Sequence, residues 1–425
     1  MKKTIALFLA LVMVFALCAC GQTAAPAAEA PAAEAPAAEA PAAEAPAAEA
    51  PAAEAPAVKV GFIFLHDEQS TYDLNFMNAA KEACEKLGIE YILKTGVPEG
   101  QECYETALDL VDDGCNIVFA DSFGHEDYMI QAAKECPDVQ FCHATGTKAH
   151  TEGLANFHNA FASIYEGRFL AGVAAGLKLN EMIDSGKITA DQALMGYVGA
   201  YTYAEVISGY TSFYLGAKSV CPSVTMKVTF TGSWYDMPLE QEGAQKLIDS
   251  GCVLLSQHAD SMGAPNVCQA AGVPDVSYNG STIEAGPDTY IISSRINWAP
   301  YFEYIINCVA NGEAIATDWT GTIETGSVEL LELNEKVAAE GTAAKIEEVK
   351  AGLLDGSIHV FDTANFTVGG ETLTSYLADV DTDPAYTPDT EVIVDGYFNE
   401  SGEGLRSAPY FDLQIDGIEL LDVAF

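Results

Sequence analysis

The 425-residue chain sets 62 Asp and Glu against 19 Lys and Arg, a formal charge of -43 at pH 7. That deficit of cations excludes a nucleic-acid binder, which needs clustered Lys and Arg to displace condensed counterions, and a body that adheres directly to anionic lipid. With 49% hydrophobic residues the chain can still build cores, and its length favours two lobes over one.

At the N-terminus Lys2 and Lys3 precede an apolar run, residues 5–17, of signal-peptide length and too short to span a bilayer permanently. The run ends in Leu17-Cys18-Ala19-Cys20-Gly21, the pattern of a bacterial lipobox. Residues 1–20 are read as a lipoprotein signal in which Cys20 takes the lipid. This predicts a protein tethered to the extracytoplasmic face of a cell membrane. The alternative is an ordinary secretory signal with two incidental cysteines. Residues 21–57 repeat Ala-Pro-Ala-Ala-Glu, placing Glu29, Glu34, Glu39, Glu44, Glu49 and Glu54 five apart. A proline every fifth residue removes an amide donor and clashes with the preceding turn, so helix cannot propagate. The segment predicts a disordered, semi-extended spacer reaching at most about 3.1 Å per residue.

The body opens with the apolar strand 58–65 and a polar stretch, 66–73. A helix over 75–87, a strand over 89–93, a helix over 104–113 and a strand over 116–120 follow, then a helix over 126–135 and a strand over 139–143. Apolar strands alternating with amphipathic helices predict a parallel sheet covered on both faces. The rhythm restarts with a long helix over 161–180. Strands are expected over 193–200, 225–231, 253–256 and 275–278, with helices over 204–218, 238–250 and 265–271. These give an N-terminal lobe over 58–160, with a return segment at about 290–320, and a C-terminal lobe over 161–289. The remainder, 321–425, carries a strand over 328–333, a helix over 342–353, a strand over 357–361 and an acidic, loop-rich excursion over 363–411. Two such α/β units facing each other make a cleft that closes by hinge motion.

Cys84, Cys115, Cys142, Cys252, Cys268 and Cys308 sit among core-like neighbours. The mature chain has no CxxC and no Cys/His spacing suited to zinc. Buried free thiols are therefore expected rather than a disulfide framework, and neither metal nor cofactor is expected.

In open parallel sheets, ligands bind outside the carboxyl ends of the strands. Seven segments carry aromatic and polar residues suited to a flat heterocycle, six of them at or beyond expected strand ends: Ser70-Thr71-Tyr72, Asp121-Ser122-Phe123-Gly124, Asn156-Phe157-His158-Asn159, Gly232-Ser233-Trp234-Tyr235-Asp236, Gln257-His258-Ala259-Asp260-Ser261, Tyr278-Asn279 and Asn297-Trp298. An aromatic face stacks on a ring, while carboxylates and amides read its donor and acceptor edge.

These stretches, with Gly167-Arg168-Phe169-Leu170-Ala171-Gly172, Met195-Gly196-Tyr197-Val198-Gly199-Ala200 and Leu215-Gly216-Ala217-Lys218-Ser219-Val220, resemble the basic membrane protein family of ABC-transporter substrate-binding lipoproteins, nearest to its purine-binding branch. The likeness runs over about 59–312 and is poor beyond about 360. It implies an α/β, type I periplasmic-binding fold of two Rossmann-like lobes with a hinged cleft. It also implies a purine base or nucleoside as ligand and an ABC-transporter permease as partner. By the resemblance Tyr72 and Trp234 wall the ligand, Phe123 lies on the N-terminal side of the cleft, and Asp236, Asp260 and Asn279 take polar contacts. Trp298 sits near the hinge, and Ser122, Phe157 and His258 complete the expected contacts. Where the branch carries Trp-Thr-Tyr this chain has Ser70-Thr71-Tyr72, which widens one wall and leaves base and nucleoside both open.

Catalysis finds no support. Gly-x-Ser-x-Gly, His-Glu-x-x-His, the Walker loop and the dinucleotide glycine fingerprint are all missing, and no nucleophile motif accompanies His258 and Asp260. A sugar-binding protein of the same architecture and a tethered receptor feeding a sensor stand as alternatives, because function lives in the site rather than the fold.

Overall fold

A computed structural model describes residues 57–380, 387–402 and 404–425. The signal, Cys20 and nearly all of the spacer lie outside the described residues. The first lobe is built from β1 (Lys59–Ile63), α1 (Thr71–Leu87), β2 (Glu90–Lys94), α2 (Gln101–Asp112), β3 (Ile117–Ala120), α3 (Glu126–Glu135), β4 (Gln140–Ala144), α4 (Ala149–Glu152) and β5 (Phe157–Ala162). The second begins with α5 (Ile164–Asp184) and continues through β6 (Leu194–Gly199), α6 (Ala204–Val220), β7 (Thr225–Phe230), α7 (Met237–Asp249), β8 (Leu254–His258), α8 (Gly263–Ala271), β9 (Asp275–Tyr278) and β10 (Tyr290–Ile296). The chain then returns to the first lobe in α9 (Ala299–Asn311) and β11 (Asp318–Gly321), and re-enters the second in β12 (Val328–Leu330), followed by α10 (Thr342–Leu354).

The first sheet has the order β11-β5-β4-β3-β1-β2 and is parallel throughout. The second, after addition of β17 (Ile418–Leu420), reads β12-β10-β9-β8-β6-β7-β17, with only β12 antiparallel. This is the expected two-lobe architecture. Strand order reverses between β1 and β3 in one sheet and between β6 and β8 in the other, which sets the crevice of each lobe. Every residue of β3, β5, β8 and β9 is buried, as a sheet covered on both faces requires.

Several expectations are corrected. Asn156–Asn159 is not a loop: Phe157 opens β5, pairs beside Phe141 and packs among Ile63, Val118 and Met129. Its alternation with polar residues hid a strand buried on both sides. Helix α1 starts earlier than residue 75, because Ser70 caps it and accepts a hydrogen bond from the Asp73 amide. Tyr72 therefore lies in the first helical turn and not in a loop. The return to the first lobe begins not at 290 but after β10, which pairs with β9 in the second sheet. The expected strand over 357–361 does not form; Phe361 instead stacks on Phe411 at 4.2 Å. The described residues of the tail over 363–411 are loop-rich, with two short ribbons, β13 (Leu377–Ala378) with β14 (Thr390–Glu391) and β15 (Ile393–Val394) with β16 (Tyr397–Phe398).

Two packing features fix the lobes. At the β10-to-α9 crossing Trp298 is fully buried, its ring stacked on Phe76 at 4.4 Å, and the Asn75 side-chain amide donates to the Ile296 carbonyl. Phe62, Phe119 and Phe302 complete this aromatic cluster. In the second lobe α5 and α6 meet backbone to backbone. A Cβ on Gly216 would lie 2.0 Å from the Phe169 carbonyl oxygen, and one on Gly172 would lie 2.0 Å from that of Phe213. The nine cysteines of the body are all unpaired; eight are buried and Cys136 is partly so. Burial drives the Cys84 and Cys142 thiols up to about 12 and those of Cys115 and Cys252 up to about 11.

Since the steric conflict at Gly216 is with backbone, no rotamer relieves it. Gly216→Ala is expected to cost about 3 kcal/mol, seen as a lower midpoint in thermal and urea unfolding.

Candidate functional site

Between the lobes lies a pocket, about 370 Å³ of atom-free space that includes open solvent, lined by Leu65, His66, Tyr72, Asp73, Ser122, Phe123, Thr145, Glu205, Trp234, His258 and Asp260. The first lobe supplies its share from the ends of β1, β3 and β4 and the first turn of α1. The second supplies Glu205 from α6, Trp234 from beyond β7, and His258 with Asp260 from the end of β8.

The lobes touch around this cavity. The Thr71 amide donates to the Asp260 carbonyl at 3.0 Å. Phe123 meets Tyr203 at 5.4 Å and His66 meets Tyr235 at 5.5 Å. Trp234 lines the cavity and is backed by aromatic rings: Tyr201 and Tyr203 stack at 5.0 Å, and Tyr201 meets the Trp234 ring edge to face at 5.1 Å. Phe123 is held from behind by Glu99, whose carboxylate accepts from the Ser122 hydroxyl and the Gly124 amide. Thr145 has φ +65°, strained for a β-branched residue, at the edge of the cavity.

Three carboxylates, Asp73, Glu205 and Asp260, stand among the polar groups. Burial opposes ionisation of Asp73, but hydrogen bonds from His66 and Ser70 outweigh it and hold its carboxyl below the usual range. Burial, and then the charge on Asp73, push Asp121 far above that range. Asp73 is thus the ionised member of the pair. Asp260 is also pushed well up, by burial first and then by Asp73, Glu240 and Glu205. Its carboxyl lines the cavity and has no hydrogen-bond partner among the described residues. Glu240, buried and raised to about 7 by burial, accepts from the Ser261 amide and so positions the Asp260 loop. His258, kept neutral by burial, sits 3.4 Å from Glu205 and 4.4 Å, ring to ring, from Tyr278. No Lys or Arg lines the cavity. With neither Lys, Arg nor a metal-holding cluster at hand among the described residues, the site suits an uncharged ligand rich in donors.

Tyr72, Ser122, Phe123, Trp234, His258 and Asp260 are brought together by the fold. Four other candidates are not. Phe157 belongs to the core, as described above. Asp236 caps α7, its carboxylate accepting from the Leu239 amide at 2.9 Å. Asn279 is buried in a left-handed turn, φ +62°, with its side-chain amide unpaired. Trp298 is locked into the crossing cluster. His66, Asp73, Thr145 and Glu205 had not been singled out, nor had Tyr201 and Tyr203. Tyr201-Thr202-Tyr203 directly after β6, at the strand-order reversal, was a legible signal.

Residues 62–358 match the family described as "ABC transporter substrate-binding protein PnrA-like". The chain belongs to that family. Its members are binding proteins of ABC transporters, so a non-enzymatic role follows from the family itself. A purine-binding protein of Brucella abortus is 31% identical over 325 residues, 74% of this chain and 88% of the relative. A Haloferax volcanii protein named as the glucose-binding protein of an ABC transporter is 29% identical over 281 residues, 66% of each. Among solved structures, a solute-binding protein from Aeropyrum pernix K1 superposes with TM-score 0.61 at 17% identity, covering 72% of this chain and 93% of the other. One from Conexibacter woesei does so with TM-score 0.57 at 20%, covering 71% and 98%. These structural likenesses support the fold.

As Asp236 caps a helix, Asp236→Ala is expected to lower stability by about 1 kcal/mol while leaving ligand affinity unchanged. Thermal unfolding and calorimetry on one preparation check both.

Proposed function

We propose that this ABC-transporter substrate-binding protein captures a purine base or nucleoside at the extracytoplasmic face of a membrane, anchored by lipid on Cys20, and passes it to a permease. The observation that carries the reading is the pairing of aromatic faces, Trp234, Phe123 and Tyr72, with unpartnered or ionised carboxylates in a cavity with neither Lys nor Arg among its described lining residues. A heterocycle stacks on the rings, and ring N–H or ribose hydroxyl groups donate to Asp260, Asp73 or Glu205. The Brucella relative's name supports the same class. A nucleotide is disfavoured, since its phosphate would enter a site with three carboxylates and neither Lys nor Arg among its described lining residues. The sugar reading is kept by the Haloferax relative and by the fact that carboxylates and aromatic rings also suit sugars.

Calorimetry with adenine, guanine, hypoxanthine, adenosine, inosine, AMP, ribose and glucose separates these readings. At least one base or nucleoside is expected to bind and AMP to be rejected; sugar binding without purine binding would replace the purine assignment. With the ligand so found, Trp234→Ala is expected to lose about 2–4 kcal/mol of binding with little change in unfolding temperature.

For the anchor, several acyl chains on one cysteine hold firmly where a single chain does not, each buried CH₂ adding about 0.8 kcal/mol. Cys20→Ala is expected to move the protein from the membrane pellet to the soluble fraction; a variant still in the pellet would refute lipidation at Cys20.

A further inference from the structure

The family match ends at residue 358, but the chain continues and finishes against the cleft. Strand β17 extends the second sheet beside β7. Beyond it the Leu421 amide donates to the Val228 carbonyl at 2.8 Å. The Asp422 carboxylate accepts from the Phe230 amide at 2.7 Å, the Thr229 hydroxyl at 2.6 Å and the Lys246 ammonium at 2.7 Å. Two residues on, the Ala424 amide donates to the Thr202 hydroxyl at 3.0 Å, and the Ala424 carbonyl accepts from the Thr202 amide at 2.7 Å.

These bonds grip two loops. Thr202 lies between Tyr201 and Tyr203, which stack on each other. Thr229 and Phe230 end β7, and the loop beyond them carries Trp234. Together the two loops form an aromatic wall in which Trp234 lines the cavity and the two tyrosines pack against it. Leu421 packs against the core beneath the sheet, but beyond it the grip is polar, for Val423 and Phe425 are exposed, at 57% and 83%, and bury little. A segment that served only to cover the sheet edge would hide those side chains. Instead it leaves them in water and spends its backbone and its one carboxylate on the loops.

We propose that residues 421–424 form a strap that sets the geometry of the aromatic wall, with Asp422 and Thr202 as positioning residues for ligand binding. Loss of either bond set lets the Tyr201–Tyr203 pair and Trp234 drift apart while the body stays folded. The affinity arm of the test rests on the purine reading above; the spectroscopic arm does not.

The chain has three tryptophans, Trp234, Trp298 and Trp319. Protein labelled with 5-fluorotryptophan gives a fluorine resonance for each, Trp234 being identified by its loss in Trp234→Phe. Thr202→Val and Asp422→Ala are each expected to shift or broaden the Trp234 resonance and to leave the other two in place. Thr202→Ser, which keeps the hydroxyl acceptor, is expected to match the wild type. Adenosine, or whichever purine binds best, is expected to bind about tenfold more weakly to the Val and Ala variants. An unmoved Trp234 resonance in both variants overturns the strap, as does a shift of all three resonances together, which reports general loosening. If Asp422→Ala fails to fold, Thr202→Val decides alone. If no purine binds the wild type, the purine reading falls while the fluorine spectra still decide the strap.

Discussion

Parallel strands covered on both faces have no solvated side, and that exclusion of water governs where this protein can place polar chemistry. Along β3, β5, β8 and β9 every residue is buried, so a charged group there is costly in a medium of low dielectric; Asp275, the one carboxylate among them, is pushed up to about 7 by burial. Polar side chains collect where the strands end and backbone groups need partners. Since the chain crosses between lobes three times, the carboxyl ends of both sheets face one another. Asp73, Asp121, Glu205 and Asp260 thus collect in a common space between the two sheets.

Crowding of that kind cannot ionise every carboxylate, and the fold resolves it by rank. Asp73 holds its charge because Ser70 and His66 donate to it; Asp121 and Asp260 are driven toward the protonated form, chiefly by burial. A protonated carboxyl can donate as well as accept, so the site offers both halves of a hydrogen-bond pattern without a lysine or arginine among its described lining residues. Recognition built this way discriminates by unmet partners: an analogue lacking one donor or acceptor leaves a buried group unpaired, at a cost of about 1–3 kcal/mol.

The architecture was readable because its periodicities were strong. The helix at Glu126–Glu135 and the strand at Asp275–Tyr278 fall where the pattern placed them, and the cleft follows from strand ends alone. The misreadings share one origin. Phe157 and Trp298 are aromatics near polar neighbours, and a linear pattern does not say whether such a ring faces a ligand or a core. Asp236 looked like a ligand contact because capping and binding ask for the same side chain; only the Leu239 amide decides between them. Glu205 and Asp73 lay inside helical first turns, where an acidic residue is already explained by the helix dipole. The role of the last residues was illegible, since it depends on pairing between segments nearly two hundred positions apart.

The buried thiols bear on how this protein fails. While the body is folded, Cys84 and Cys142 are held near 12 and shielded from solvent, so almost no thiolate exists to react. Unfolding returns nine thiols at once to the ordinary range near pH 8.5, outside any native pairing scheme that could guide them. In an oxidising medium they would cross-link at random, and the chain could not retrace its path. Loss of structure is then a one-way chemical step, and survival outside a reducing habitat depends on how slowly the body opens rather than on its equilibrium stability.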